Sequence, residues 1–492
     1  MSPAEFALVA VYVGIAVALS LYGLHRYHLT WLFLKHRSDG ATPHTPAAWP
    51  VVTVQLPLYN EPRVVTRAID AVAALDYPAD RLEVQILDDS TDGTTAMARA
   101  AVERWRKRGV DIRLIHRDNR EGYKAGALAE GMERARGRFI AVFDADFLPQ
   151  ADFLTTLLPY FRDDVGMVQA RWGHLNEHSS LLTRLQAVLL DGHFVIEHTA
   201  RNRSGRWFNF NGTAGIWRRE AIEDAGGWHH DTLTEDLDLS YRAQLAGWRF
   251  VFLPDVVVPA ELPGDIAAFK TQQHRWAKGS VQTARKLLPT LLRAPLPLRV
   301  RVEAVAHLTA NLAYPMVVLL TAITPLAVRI RGESVGRYLW FDLAFFGMAM
   351  VSMGVFYATS QWAAYPDWRR RALRIPAVLA LGIGMSVSQS LAVFEALAGH
   401  LSPFVRTPKT GEIKKRRVLS RHLVLRPVAV AEMGFALYHA AALGWALGEG
   451  YYPSVPIQLL FAAGFATVGI RSMVRSAPDG AADAPAADVA AA

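Results

Sequence analysis

Four polar clusters carry the chemistry open to this chain: Asp88-Asp89, Asp144-Ala145-Asp146, Glu235-Asp236 and Gln272-Gln273-His274-Arg275-Trp276. Two carboxylates separated by one small residue can present oxygens to Mg2+ or Mn2+, and such a cation can hold a diphosphate at the same time. Phe143 and Phe147 flank that pair, which predicts a partly buried edge where carboxylate repulsion is costly without a metal. In isolation the same spacing is more often a solvated turn. Asp89 can accept hydrogen bonds from a nucleobase or ribose, whereas Ser90 or Thr91 suits the cap of a helix starting near Asp92 and Asp88 reads as structure. Glu235-Asp236 follows Thr234 at a helical start. The plain reading is a threonine cap with acidic residues favouring the helix dipole; the functional one is a base, Asp236, that removes a proton from an acceptor hydroxyl. The preceding Phe210-Asn211-Gly212-Thr213 is small and flexible, suited to close approach of a sugar. Gln272, Arg275 and Trp276 offer an amide, a guanidinium for phosphate and an indole for stacking on a sugar face; interfacial anchoring is the alternative use.

The elements that position these residues follow from periodicity. Strand-like runs at 51–57, 82–87, 111–115 and 138–143 alternate with helical runs at 61–75, 92–108 and 123–135. That alternation predicts a parallel sheet with right-handed crossovers. Ligands in such sheets bind beyond the carboxyl ends of the strands. Tyr59-Asn60-Glu61, Asp88-Asp89 and Asp144/Asp146 each follow a strand, so the three clusters converge on one edge. The stretch 270–292 has helical period with Arg275, Lys278, Arg285 and Lys286 among apolar residues, an amphipathic helix expected on a membrane surface.

Apolar residues make up 51% of the 492, and uncharged runs near membrane length account for the excess. Candidate spans are 6–25, 304–328, 339–360, 428–447 and 454–472. The first lacks a basic start and a clear cleavage site, so it reads as a retained helix. Arg26, Lys35 and Arg37 behind it place the 50–300 block in the cytoplasm. If 375–398 also crossed, Lys414-Lys415-Arg416-Arg417 would lie outside; Ser386, Ser388, Gln389, Ser390 and Glu395 also interrupt that run. It is therefore expected to be in-plane or re-entrant. The net charge of +8 sits largely beside apolar runs and no base-reading motif accompanies it, so no nucleic acid partner is expected. With no cysteine, disulfides, thiolate zinc sites and cysteine nucleophiles are excluded. Residues 476–492 are Ala/Asp/Pro-rich and expected to be disordered.

Taken together, 54–61, 87–92, 117–128, 143–147, 210–217, 234–238 and 272–276 resemble the processive inverting glycosyltransferases of family 2, closest to the cellulose-synthase-like mannan and glucan synthases of the A and C groups. The resemblance is dense over 50–285 and weak in the membrane part. It implies an α/β GT-A (Rossmann-like) cytoplasmic domain at 48–268, after an N-terminal transmembrane helix at 1–30. Interfacial helices at 269–300 and a helical transmembrane channel region at 301–475 would follow. Donor and nucleotide contacts would come from Tyr59, Asn60, Glu61, Asp89, Lys124, Asp144 and Arg275, and Mg2+ or Mn2+ would be held by Asp144 and Asp146. Asp236 would be the base with Glu235 beside it. Phe210, Asn211, Gly212, Thr213, Gln272 and Trp276 would bind the acceptor. Phe404, Arg406, Thr407 and Lys409, within 375–412, resemble the family's gating loop. The implied activity is transfer of hexose from UDP-glucose or GDP-mannose to a growing polysaccharide (glucan, mannan or glucomannan) in a lipid membrane, the bacterial inner or plasma membrane, with translocation of the polymer. Accessory secretion subunits would be further partners. One span precedes the block where bacterial cellulose synthases have more. Nothing resembles a cyclic-dinucleotide-binding domain, so that regulation is not expected. Two other readings stand beside it. A single-addition enzyme for a lipid acceptor, like ceramide glucosyltransferases, shares the early motifs and the Gln/Arg/Trp cluster. A non-catalytic export subunit would be expected to have lost Asp236 or the Asp144/Asp146 pair, and all three are present.

Overall fold

The computed structural model describes residues 2–331, 344, 345, 347–400, 402, 404–407, 409, 411, 421–423 and 425–476. Four strands, β1 (Val52–Leu58), β2 (Leu82–Asp88), β3 (Ile112–His116) and β4 (Phe139–Val142), form where the alternation predicts them. Helices Val65–Ala73, Thr94–Arg106 and Tyr123–Arg134 join them. These four strands run parallel to one another. Both faces are covered, so inward and outward side chains of β1 and β4 are alike buried. Val54, Leu56 and Ala141 belong to one core, and Ile140 and Val142 to a second on the opposite face.

Three further strands complete the sheet: β5 (Val165–His174), β6 (Gly215–Arg218) and β7 (Arg249–Ala260), in the order β3-β2-β1-β4-β6-β5-β7. β6 runs antiparallel between β4 and β5, so the parallel expectation holds for the first four strands and the whole sheet is mixed. The reversal has a purpose at the edge. β5 and β7, parallel to each other and both antiparallel in sense to β6, end where β1, β2 and β4 end. The segment entering β6, residues 210–214, arrives at that same edge.

Five described helices are long and apolar enough to cross a membrane, by length and composition: Pro3–His36, Leu298–Ile330, Trp368–Leu397, Pro427–Gly448 and Tyr452–Met473. The expected span at 339–360 lies partly outside the described residues; its described part includes a π turn at Gly347–Val351 and a helix at Ser352–Ala364. The tail beyond 476 lies outside them too. Residues 375–398, expected to be in-plane or re-entrant, form one unbroken helix, Ile375–Leu397. The polar residues read as an interruption are absorbed by the protein. Ser386, Ser388, Gln389 and Ser390 are all buried, and the Ser390 hydroxyl donates to the Ser386 carbonyl at 2.7 Å within the helix. The amphipathic stretch forms the helix Ile266–Arg293, capped by the Asp265 carboxylate, which accepts from Ala268 N–H at 2.8 Å. It packs along Ile375–Leu397, which in turn packs on Val455–Met473.

That last contact depends on two glycines. A Cβ on Gly384 would stand 2.3 Å from the Gly464 carbonyl oxygen, and one on Gly464 2.5 Å from the Ala380 carbonyl oxygen. Neither backbone can yield without separating the helices. Gly384→Ala should therefore cost about 1–3 kcal/mol, read as a lowered melting midpoint of the detergent-solubilised protein; an unchanged midpoint would mean that the pair separates freely.

Candidate active site

The strand ends and the Ile266–Arg293 helix enclose a cleft of about 1260 Å³. Its wall contains Tyr59 and Glu61 after β1, Asp89 after β2, Asp144 and Asp146 after β4, and Asn211 and Gly212 before β6. Lys124 comes from the helix after β3, Glu235 and Asp236 from the start of the helix Glu235–Leu245, and Gln272, Arg275 and Trp276 from one face of Ile266–Arg293. Phe404, Arg406, Thr407 and Lys409 close over it. Three residues singled out in the sequence do not line it. Asn60, at φ 53°, uses its carboxamide to accept from Thr91 N–H at 2.8 Å, tying the end of β1 to the turn after β2. Phe210 is fully buried edge-on to Trp217, and the buried Thr213 hydroxyl accepts from Asp144 N–H at 2.9 Å. These three shape the wall from behind.

Charge organises the cleft. Lys124 Nζ contacts Asp144, donates to the Gly212 carbonyl at 2.7 Å and lies 4.0 Å from Glu235. Arg406 pairs with Glu61 at 3.2 Å and Lys409 with Asp146 at 2.6 Å. Arg275 lies within electrostatic reach of Glu235, Asp144, Asp236 and Asp146, with its guanidinium 4.3 Å from the centre of the Phe404 ring. Burial pushes the Glu61 carboxyl up to about 7, with Asp146 adding and Arg406 and Lys409 opposing. Burial likewise raises Asp146 against the pull of Lys409. Asp236 is raised by burial first and by neighbouring Glu235 second, with Lys124 opposing. One Asp236 oxygen accepts from Leu237 N–H at 2.8 Å. The other lies 3.0 Å from where a Cβ on Gly212 would stand, and Gly212 has φ 79°, so only glycine fits without strain.

The two aspartates after β2 separate by environment. Asp88 is fully buried and accepts from Ser90 N–H at 3.1 Å and the Thr95 hydroxyl at 2.6 Å, with His116 Nδ1 2.9 Å away. It holds the turn. Asp89 reaches the cleft and takes a two-pronged bond from Arg117, at 2.7 and 2.5 Å. Thr234 makes no side-chain cap; its hydroxyl lies 3.3 Å from that of Thr283. The expected threonine cap is therefore absent, while Glu235 and Asp236 do stand in the first turn of the helix.

Residues the sequence reading passed over complete the wall. Arg120 lies 3.4 Å above the Tyr59 ring, and Trp172, at the end of β5, has its ring centre 6.3 Å from that of Trp276. Asn211 is held between two histidines: its amide lies 3.0 Å from His193 Nε2 and its carbonyl 2.5 Å from His198 Nε2. Both sit on a π-helical segment, Gly192–His198, and π turns inside α-helices are frequent at functional sites. Two histidines and Glu197 within an otherwise apolar helix are the signal that marks it. A second cavity of about 1540 Å³ adjoins the cleft, sharing Trp172, Asn211, Asp236, Gln272 and Trp276, and continues among Phe356, Tyr357 and Gln389.

The residues present fit a divalent cation. Seven carboxylates line the cleft (Glu61, Asp89, Asp144, Asp146, Glu235, Asp236, Glu261) against Arg120, Lys124, Arg275, Arg406 and Lys409. Oxygen-only ligands suit Mg2+ or Mn2+. The cluster His229, Asp231 and Asp238 holds Lys286 at 2.8 Å from Asp231 and 3.0 Å from Asp238, as Asp144 and Asp146 hold Lys124 and Lys409.

Residues 50–279 match the family described as "Glycosyltransferase like family 2". Over 253 residues the chain is 47% identical to "Glucomannan 4-beta-mannosyltransferase 1" of Oryza sativa subsp. japonica, covering 50% of this chain and 49% of the relative. Over 251 residues it is 45% identical to "Glucomannan 4-beta-mannosyltransferase 2" of Arabidopsis thaliana, covering 50% and 47%. The chain thus spans about half the length of these curated relatives. A mannosyltransferase from Pyrobaculum calidifontis, solved with GDP-Man and Mn2+, shares the fold at a TM-score of 0.55 and 22% identity, over 80% of this chain and all of that one. The 50–279 block is a family 2 glycosyltransferase domain on a GT-A-like mixed sheet.

Gly212→Ala tests the tightest approach in the site. A Cβ there displaces Asp236 or Lys124, and misplacing a reacting group by about 1 Å costs on the order of 100-fold in rate. Sugar transfer should fall by that order while nucleotide affinity, measured by calorimetry, changes little; wild-type transfer would mean that the Asp236 oxygen is not held where it must be.

Proposed function

We propose that the chain is a membrane-embedded inverting β-hexosyltransferase. It passes hexose from a nucleoside-diphosphate sugar to the end of a growing β-glycan and moves the product into the passage beside Asp236. The observation that carries this reading is the position of Asp236, in the wall shared by a charged cleft and a passage lined with aromatic and amide side chains. The cleft suits a diphosphate sugar and the passage suits a carbohydrate chain. Of UDP-glucose and GDP-mannose, the mannosyltransferase names of the relatives and the GDP-Man of the structural neighbour favour GDP-mannose.

In this reading the acceptor hydroxyl gives its proton to the free Asp236 oxygen as its own oxygen attacks the anomeric carbon. The new glycosidic bond forms opposite the breaking bond to the diphosphate, which inverts the centre. Arg275 faces the charge that builds on the leaving group. Lys124 holds Asp144 and the Gly212 carbonyl in register. Tyr59, Arg120 and Asp89 form the nucleoside end, and the Gln272–Trp276 turn holds the acceptor sugar. A divalent cation at Asp144 and Asp146 would neutralise diphosphate charge. Phe404, Arg406, Thr407 and Lys409 keep water from the anomeric carbon, with Arg406 and Lys409 latched on Glu61 and Asp146. Lys35 and Arg37 at the end of the first apolar helix favour a cytoplasmic catalytic domain, where nucleotide sugars are made.

Membranes incubated with labelled GDP-mannose and UDP-glucose, separately and together, with Mg2+ or Mn2+, should yield a high-mass product degraded by β-mannanase or β-glucanase. A chloroform-soluble product carrying a single sugar would overturn the polymer reading. Asp236→Asn should lower transfer by about 10²–10⁴-fold while nucleotide still binds. Asp146→Ala should lose the Mn2+ dependence of nucleotide affinity, followed by metal titration. Because Asp236 titrates above its ordinary range and acts deprotonated, transfer should fall as pH drops through that raised pKa, so the acid limb of a rate profile lies above the usual carboxylate region.

A further inference from the structure

His193 and His198 are five residues apart, a spacing that an α-helix puts on different faces, because side chains three and four apart are the ones that meet. The π turn Gly192–His198 winds wider, with i→i+5 bonding, and brings the two rings to one side with their centres 4.3 Å apart. The Asn211 carboxamide bonds to both rings and lies in the wall of both the cleft and the passage. The irregular turn thus has a local result: two imidazoles grip one amide at the place where transfer would occur.

Glu197 decides where the protons are. Its carboxylate pairs with Arg26 of the first apolar helix and lies 3.3 Å from Arg201, so it offers only lone pairs. His193 Nδ1 lies 2.9 Å from the same carboxylate and therefore carries the ring hydrogen. Burial, then the charges of His198, Arg201 and Arg26, hold His193 well below the ordinary imidazole range, so the ring is neutral and its Nε2 is bare. A bare nitrogen only accepts, and it takes a hydrogen from the Asn211 amide nitrogen at 3.0 Å. The Asn211 carbonyl then faces His198 Nε2, which donates to it at 2.5 Å. The backbone is fixed separately, since Asn211 N–H donates to the Gln169 side-chain oxygen at 3.1 Å. What the histidines set is which end of the carboxamide points which way. Its nitrogen keeps a second hydrogen that has no protein partner among the described residues.

We infer that His193, held by Glu197, is a positioning residue for sugar transfer: it keeps the nitrogen end of the Asn211 carboxamide, rather than its carbonyl, free for the oxygens of the acceptor sugar. Ring and glycosidic oxygens only accept hydrogen bonds. The amide end holds them, and a flipped carboxamide would set lone pair against lone pair. This role rests on the proposed transfer beside Asp236 and deepens it, since it names what fixes the group that meets the acceptor.

The test compares kcat and donor KM in membranes carrying the full chain, supplied with labelled GDP-mannose or UDP-glucose. His193→Leu removes the accepting nitrogen and should lower kcat about tenfold, the effect of losing one hydrogen bond, with donor KM changed by about twofold or less. His193→Gln returns a carbonyl acceptor and should recover most of that loss. His193→Leu combined with Asn211→Ala should lower kcat no further than Asn211→Ala alone, because one residue acts through the other. If the leucine variant fails to melt cooperatively, the more adaptable His193→Met takes its place. A variant that melts lower yet keeps the native kcat would overturn the inference. So would losses that multiply in the double variant, or a glutamine variant no better than leucine. Those outcomes leave the proposed transfer standing, whereas a native rate in Asp236→Asn overturns the reading beneath it and is seen in a different variant.

Discussion

Carboxylates brought to one buried edge cannot all be ionised without cations, and the rest of the molecule is arranged around that constraint. Glu61, Asp144, Asp146, Glu235 and Asp236 reach the cleft from three separate segments. Their counter-charges come from still others: Lys124 from the crossover helix before β4, Arg275 from the helix after β7, and Arg406 and Lys409 from beyond Leu397. No element supplies both its acid and its neutralising base. The sheet, the Ile266–Arg293 helix and the residues beyond Leu397 are therefore held in register by electrostatics as well as by packing, and removing a single cation would leave a buried carboxylate unpaired.

Behind the charged wall, backbone geometry sets the distances. β6 reverses direction so that a glycine with φ 79° can bring a carbonyl to Lys124 beside Asp236. Asn60 and Thr213 have no place in the cleft and yet fix its floor, one joining two strand ends and the other holding Asp144 by its N–H. Arg117 does similar work from the side, gripping Asp89 with two bonds and the Tyr123 carbonyl at 3.0 Å.

Much of this was legible in the residues. Strand-like apolar runs alternating with helical ones locate β1 to β4, most clearly β1, β2 and β4, whose two faces are both buried. Their ends brought Glu61, Asp89, Asp144 and Asp146 together before any coordinates. β6 escaped because it is four residues long and follows a glycine-rich approach that reads as loop. The histidines beneath Asn211 escaped because π-helical geometry has no periodic signature. Polar residues in the apolar run 375–398 read as an interruption, yet a serine hydroxyl can donate to the carbonyl of the preceding turn and an amide can face an internal space, so Ile375–Leu397 is helical throughout. Asp88 and Asp89 look alike in sequence, and only their neighbours, Thr95 and His116 for one and Arg117 for the other, separate a strut from a site.

The glycine contact between Ile375–Leu397 and Val455–Met473 has a mechanical meaning for any chain that moves past it. Two backbones seated carbonyl against Cα leave no slack, so the wall that carries Gly382, Met385 and Gln389 behaves as a fixed die and not as an elastic sleeve. A strand drawn through a die takes the die's cross-section. In the proposed polymer-forming reaction a flat, extended glycan would slide past such a wall one unit at a time, while a branched or folded one would jam at the mouth, so the straightness of the product would be decided before it leaves the protein.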